Sequence, residues 1–320
     1  MGFDPTTVVQ VLILAIVQGV AEFLPISSSG HLLVLGKFFE LPEVLTLSII
    51  LHGGTLLAVL FFFAKEIIEA CTSKPRVLGL VIVGSIPTVI IAFGIMTFVP
   101  ELEESLLLTG FLFIVTGILL MTILRSRCQL TESERYYEQI ELAADGDGDD
   151  PDYKEPKTAD TTTWLDAIVV GIAQGFAALP GLSRSGTTIS TGVGLNFDRE
   201  WAAKYSFLLS IPIIAGGAAL EILKIFKDAE GEGLSDKLFS DPFLIVYLGG
   251  AAVSFLVGWF SLACLMRMLR DGKLHYFAYW LFIIGPSCIG YWCWENWELI
   301  SSRLGLGASV SAIMSAMGLA

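Results

Sequence analysis

The fifteen residues from Gln18 to Leu32, QGVAEFLPISSSGHL, put a carboxylate, three hydroxyls and an imidazole directly behind the apolar run VVQVLILAIV. Gln18 and Glu22 stand four apart, so on a helix they share one face. A carboxylate at membrane depth costs about 2.5–3.5 kcal/mol on insertion scales. Glu22 therefore calls for a partner, a cation or a water pocket. Pro25 ends that helix. Ser27, Ser28 and Ser29, with the free amides of the following helix, form an anion site, although one serine would suffice as a cap. His31 follows Ser27 by four residues and Ser28 by three. An imidazole so placed activates a nucleophile or protonates a leaving group.

A second stretch, PGLSRSGTT from Pro180 to Thr188, carries a guanidinium among hydroxyls. Arg184 has no acid nearby in sequence, and its fork suits a phosphate or a carboxylate. Ser183, Ser185, Thr187 and Thr188 add donors beside a helix N-terminus. The plainer alternative is an Arg184–Glu22 ion pair that joins two parts of the chain. His52, in HGGT, reads as a packing residue at least as readily as a cavity-lining one, because its glycines allow close helix approach. His275 reads as a helix-end residue.

The elements that must position these groups belong to a bilayer. Of 320 residues, 54% are hydrophobic and 16% charged, where soluble chains carry about 25% charged residues. Repeated apolar runs near twenty residues predict an all-α polytopic membrane protein. Six full spans are expected at 45–64, 77–99, 106–124, 204–224, 242–266 and 275–294. The segments 8–37 and 162–195 each read as two short apolar halves around a polar break. Such breaks are tolerated in a membrane only when buried in protein or lining a wet cavity. The first apolar run lacks a basic start and a small-residue cleavage pattern, so it reads as mature chain rather than a leader.

Residues 126–160 read as an acidic, solvated linker holding 11 of the 32 acidic residues. With that linker inside, most lysines and arginines fall on the cytoplasmic side. The net charge of −13 argues against nucleic acid as a partner. The five cysteines show neither CxxC nor zinc spacing. The acidity also suits a high-salt source.

A shift of 156 residues lays AIVQGVAEFLPISSSGH on GIAQGFAALPGLSRSGT without a gap. Gln18 meets Gln174, Gly19 meets Gly175, Ala21 meets Ala177, and Ser27, Ser29 and Gly30 meet Ser183, Ser185 and Gly186. Three spans separate the copies, so an inverted-topology repeat is expected: 1–125, the linker 126–160, then 161–320. The copies differ where chemistry is at stake, since Glu22 faces Ala178, Ser28 faces Arg184 and His31 faces Thr187. A transport pathway could keep its halves alike, whereas a catalytic site needs unlike groups converging on one bond. A lipid-phosphate transporter or flippase stays the rival reading, and a non-catalytic scaffold leaves Glu22, His31 and Arg184 without a reason.

QGVAEFLPISSSGH and PGLSRSGTT together resemble the two signature regions of the bacitracin-resistance undecaprenyl-pyrophosphate phosphatases. The HGGT span and SFLLSIP (Ser206 to Pro212) extend the resemblance over nearly the whole chain. It implies an enzyme of the plasma membrane that removes the terminal phosphate of a polyprenyl pyrophosphate, with membrane lipids around it and its site open to the outer face. It also implies a divalent cation, Mg²⁺ or Ca²⁺, and is compatible with a homodimer. By this resemblance Glu22 binds the cation or acts as acid and base, with Gln18 assisting. Ser28 attacks phosphorus with His31 and Glu22 supporting, or His31 itself attacks. Arg184 clamps the phosphates, and Ser27, Ser29, Ser183, Ser185 and Thr188 add hydrogen bonds. Many members have Glu where this chain has Gln18, and an amide binds such cations more weakly. The acidic linker is longer than the family leads one to expect. An archaeal halophile as source would make the carrier dolichol-type.

Overall fold

The computed structural model describes residues 5–39, 44–123, 155–228, 244–297 and 300–301. Among them the chain is helical: α1 (Pro5–Ala21), α2 (Ser28–Phe39), α3 (Val44–Phe62), α4 (Ala64–Thr72), α5 (Pro75–Phe98), α6 (Leu106–Ile123), α7 (Trp164–Phe176), α8 (Arg184–Gly194), α9 (Arg199–Asp228), α10 (Leu244–Arg270) and α11 (Tyr276–Glu295). Most of the expected linker 126–160, and the C-terminal tail, lie outside the described residues.

The two interrupted segments are interrupted in space. α1 stops at Ala21 and α2 begins at Ser28, while α7 stops at Phe176 and α8 begins at Arg184. Local chemistry sets these ends. Thr163 caps α7 in a reciprocal box with Asp166, and Ser183 caps α8 by accepting from the Gly186 amide. Neither α1 nor α7 reaches the eighteen or so residues that cross a bilayer.

Six full spans are predicted, and the helices support fewer. α5, α6, Arg199–Leu220 of α9 and Ile245–Arg270 of α10 are long and apolar enough to cross. α3 qualifies only together with α4, as a pair bent by 66°. The bend falls at Phe63, where Lys65, Glu66 and Glu69 end the apolar run and draw the chain toward water. α11, the predicted span 275–294, is not among the helices that qualify; it mixes Tyr and Trp with Pro286 and Ser287. Among the described residues, four crossings, or five with the bent pair, stand on length and composition.

Lipid tails give helices no hydrophobic reason to associate, so close packing of small residues does that work. A Cβ on Gly171 of α7 would sit 2.0 Å from the Gly84 oxygen of α5, and one on Gly54 of α3 would sit 2.3 Å from the Ala251 oxygen of α10. Gly19 of α1 meets Val257 and Ser254 of α10, and Gly175 of α7 meets Ile91 of α5. Hydroxyls stitch the same seams: Thr88 donates to the Gly171 carbonyl at 2.8 Å and Ser254 to that of Leu51 at 3.0 Å. The outer surface is apolar, with Ile82, Ile86, Ile90 and Phe93 exposed along one face of α5. α9 meets α5 through Tyr205, whose hydroxyl donates to the Leu80 carbonyl at 2.9 Å. Beyond that contact a large cavity separates the two helices.

Candidate active site

The two breaks form one structure. Ser27 holds a left-handed backbone (φ 71°) that a serine seldom adopts. Its hydroxyl accepts from the Gly181 amide of the other break at 3.1 Å and from the Gly30 amide at 3.4 Å. Gly181 is itself left-handed (φ 93°), and a Cβ there would lie 2.4 Å from the Thr109 oxygen. Thr116 of α6 pins the second break from beneath, donating to the Gly181 carbonyl and accepting from the Ser183 amide, both at 3.1 Å. α2 and α8 therefore begin side by side, with their free amides turned to one region.

Glu22 is buried between them and holds four partners. Its Oε1 takes Arg184 as a salt bridge. Its Oε2 accepts from the Ser28 hydroxyl at 2.7 Å and from the Gln18 amide at 3.0 Å, with His52 Nε2 at 3.6 Å. The ion pair that the sequence offers as a plainer alternative to anion binding is thus present. Its guanidinium also lines a cavity, so the pair does not use Arg184 up. The cavity is about 1050 Å³ in volume. Glu22, Ser27, Ser28, Ser29, Ser183 and Arg184 line its polar end, and Phe93, Met96, Ile213, Ile214 and Leu220 its apolar walls.

Four expected site residues do not reach this cavity. Ser185 is buried against Ser183 at 3.3 Å, and Thr188 bonds Ser206 and the Arg184 carbonyl, so both brace α8. Gln18 is fully buried and turns its amide nitrogen to Glu22 and, at 3.5 Å, to Thr55. His31 departs furthest from expectation. Its Nδ1 meets the Ser27 carbonyl at 2.8 Å, and its Nε2 accepts from the Trp280 indole at 3.0 Å. The ring lies against Trp280 and edge-on to Phe113. A helical residue four past Ser27 faces back over the preceding turn, which turns this imidazole into the α6–α11 side. With both nitrogens engaged, His31 holds no lone pair toward a phosphate.

His52, for which the sequence leaves packing and cavity lining both open, is the histidine at the cavity. Its Nδ1 bonds the Ser48 carbonyl at 2.7 Å, which leaves Nε2 facing Glu22. Its place four residues after Ser48, on the same helix face, was the available signal.

The fit of a divalent cation follows from these donors. Among the described residues no three His, Cys, Asp or Glu side chains gather where a metal could sit. Glu22 and Glu103 both line the cavity but belong to no cluster of three such groups, and the charge of Glu22 is balanced by Arg184. Gln18 offers Glu22 its NH₂, since a carbonyl oxygen there would repel the carboxylate, and its own Oε1 is buried without a partner. Hard cations take six or more oxygens, several from carboxylates, carbonyls or phosphates. The residues as arranged do not supply a resident site.

The profile described as "Bacitracin resistance protein BacA" matches residues 11–287. An undecaprenyl-diphosphatase of Rhodopirellula baltica is 41% identical over 273 residues, covering 85% of this chain and 93% of the relative. One of Carboxydothermus hydrogenoformans is 40% identical over 283 residues, covering 88% and 95%. One of Methanosphaera stadtmanae is 32% identical over 302 residues, covering 87% and 95%.

Proposed function

The chain belongs to the bacitracin resistance protein BacA family, and from that premise we propose that it is a multi-pass membrane phosphatase acting on an undecaprenyl-type polyprenyl diphosphate. It releases the terminal phosphate and leaves the monophosphate carrier lipid. The observation that carries this reading is the Ser28–Glu22–Arg184 cluster at the polar end of a cavity whose remaining walls are mostly apolar. The polar end suits a diphosphate and the walls suit a prenyl chain.

The chemistry follows from the hydrogen bonds. Ser28 already donates to Glu22, so the carboxylate takes the hydroxyl proton as Oγ attacks the terminal phosphorus. The bond from that phosphorus to the bridging oxygen breaks. The proton on Glu22 passes to the departing monophosphate. Water then attacks the phosphoserine and gives one proton to Glu22, which passes it to Ser28 Oγ as the P–Oγ bond breaks and phosphate leaves. Arg184 and the amides opening α2 and α8 face the equatorial oxygens, where charge gathers. Ser29 and Ser183 add donors from the cavity wall. Ser28 is preferred to His31 as nucleophile because its oxygen faces Glu22 and the cavity, while both His31 nitrogens are engaged. His31, Ser27, Ser185 and Thr188 are positioning residues in this reading. A divalent cation, Mg²⁺ or Ca²⁺, belongs to the reading as charge compensation for the diphosphate.

The finer architecture belongs to the same proposal. The seams α1–α10 and α7–α5, each with a glycine against its neighbour, support an inverted repeat of 1–125 and 161–320 around the linker. The cavity lies at the Phe93–Pro100 end of α5, away from Lys74 and Arg76. That supports a site open to the outer face with the linker 126–160 in the cytoplasm. The unlike residues of the two breaks favour hydrolysis over lipid transport.

The test is phosphate release from long-chain prenyl diphosphates by the purified chain in detergent, with and without chelator. Release that stops in Ser28→Ala and Glu22→Gln, with thermal stability retained, is the expected result. Absence of release from every chain length tested, in folded wild-type protein supplied with Mg²⁺ or Ca²⁺, would overturn the reading.

A further inference from the structure

We propose that the Glu22–Arg184 salt bridge is a latch: the resting protein has no resident cation site, and a divalent cation enters only with the diphosphate that draws Arg184 away. The inference rests on the phosphatase reading for the identity of that diphosphate. The latch itself rests on four side chains.

In the resting arrangement each charge of the site is spent on the other. Glu22 Oε1 is held by Arg184, and Oε2 by Ser28 at 2.7 Å and Gln18 at 3.0 Å. Both oxygens are engaged by donors, and a cation cannot share an oxygen's lone pairs with a guanidinium at close range without like-charge repulsion. Gln18 closes the remaining direction with an NH₂ rather than an oxygen. The side chain of Glu22 is 3% exposed, that of Arg184 18%. The arginine therefore stands on the cavity side of the pair, where an incoming anion meets it first.

A diphosphate offers Arg184 more negative charge than one carboxylate does, and in a geometry the fork accepts. As the guanidinium turns to phosphate, Glu22 Oε1 is released. The oxygen so exposed, with the phosphate oxygens, makes the oxygen-rich, negatively charged surroundings that a hard cation requires and the resting site lacks. Each ligand thus creates the other's site. By linkage, the cation tightens the diphosphate by the same factor as the diphosphate tightens the cation. Gln18 is what makes this chain depend on the latch, because a second carboxylate at that position would leave one oxygen pair for a cation even with Arg184 in place.

The experiment titrates Mn²⁺ into the full chain in detergent and reads the free-ion signal by electron paramagnetic resonance. Glu22→Gln is the subtraction for ions held by the acidic surface. Wild type and Glu22→Gln should take up equal Mn²⁺ when no lipid is present. A methylene-bridged, non-hydrolysable prenyl diphosphonate should then tighten Mn²⁺ binding in wild type by about 5–150-fold, and Mn²⁺ should tighten the diphosphonate equally. Two variants need no lipid and test the latch whatever the substrate: Gln18→Glu, which adds a carboxylate, should gain about one Mn²⁺ over Glu22→Gln, and Gln18→Glu with Arg184→Gln, which also releases Glu22, should bind it more tightly. A resident Mn²⁺ in lipid-free wild type, lost in Glu22→Gln, overturns the proposal. So does the absence of any tightening when Arg184→Gln is added to folded Gln18→Glu. Failure of the phosphatase reading would show separately, as absent phosphate release beside an intact tightening in the Gln18→Glu, Arg184→Gln double variant.

Discussion

In an Arg184→Ala variant, Glu22 loses its guanidinium but keeps Ser28 at 2.7 Å, Gln18 at 3.0 Å and His52 at 3.6 Å. Removing one partner of a buried pair costs about 3–5 kcal/mol. Three surviving contacts and the adjoining cavity put the expected loss near the low end, ~3 kcal/mol. The kinetic loss is separate. One positioned donor to developing negative charge is worth about 10²–10³ in turnover, and the serines and helix amides that remain keep it from being larger. Thermal unfolding in a fixed detergent measures the first quantity, and single-turnover phosphate release the second. A companion variant separates the two. Arg184→Ala with Glu22→Gln carries no unpaired charge, so it should recover at least half of the lost stability while recovering no turnover. The reasoning is refuted if folded Arg184→Ala turns over within tenfold of wild type. It is refuted equally if the double variant is as unstable as the sum of the single ones.

The histidines separate next. His31→Ala should lower stability by about 2–4 kcal/mol through a cavity and an orphaned carbonyl, whereas His31→Gln should keep measurable turnover, which nucleophilic attack by His31 forbids. Trp280→Phe removes only the indole donor and should cost about 1 kcal/mol, read by chemical or thermal unfolding. Gly30→Ala forces a Cβ to 2.6 Å from the Phe113 ring, so a loss of about 1–3 kcal/mol is expected, partly rescued by Phe113→Leu. At Gly171 the obstacle is the Gly84 backbone, 2.0 Å from an added Cβ. Gly171→Ala should therefore leave little folded protein by size-exclusion chromatography, and side-chain trimming nearby should not restore it.

The chemistry of this site was written locally, and that is why it could be read. Pro25, the serine run, Arg184 and the Gln18–Glu22 spacing all act within a few residues of where they stand. The two interrupted helices are legible for the same reason, since Pro, Gly and Ser break a helix wherever they occur. What sequence could not supply was partners. His31 finds Trp280 across 249 positions, and nothing near His31 announces an indole. His52 reads as packing at least as readily as cavity lining because glycines follow it, and of these Gly54 does pack, against Ala251; only the placement of Glu22 shows that the ring faces a carboxylate. The crossing count is supported in part: among the described residues, four of the six expected spans qualify on length and composition, and 45–64 does so with its bent continuation. Hydropathy treats 45–64 as one straight segment, while Lys65, Glu66 and Glu69 bend its continuation by 66°.

The mutual cancellation of Glu22 and Arg184 has an electrical consequence. A lone charge held partway through a bilayer feels the transmembrane potential, at about 2.3 kcal/mol per 100 mV for a full crossing. A centre that sums to zero feels almost none of it. Energised and de-energised cells should therefore contain the ligand-free protein in the same arrangement, and voltage should act only through the anionic lipid it receives.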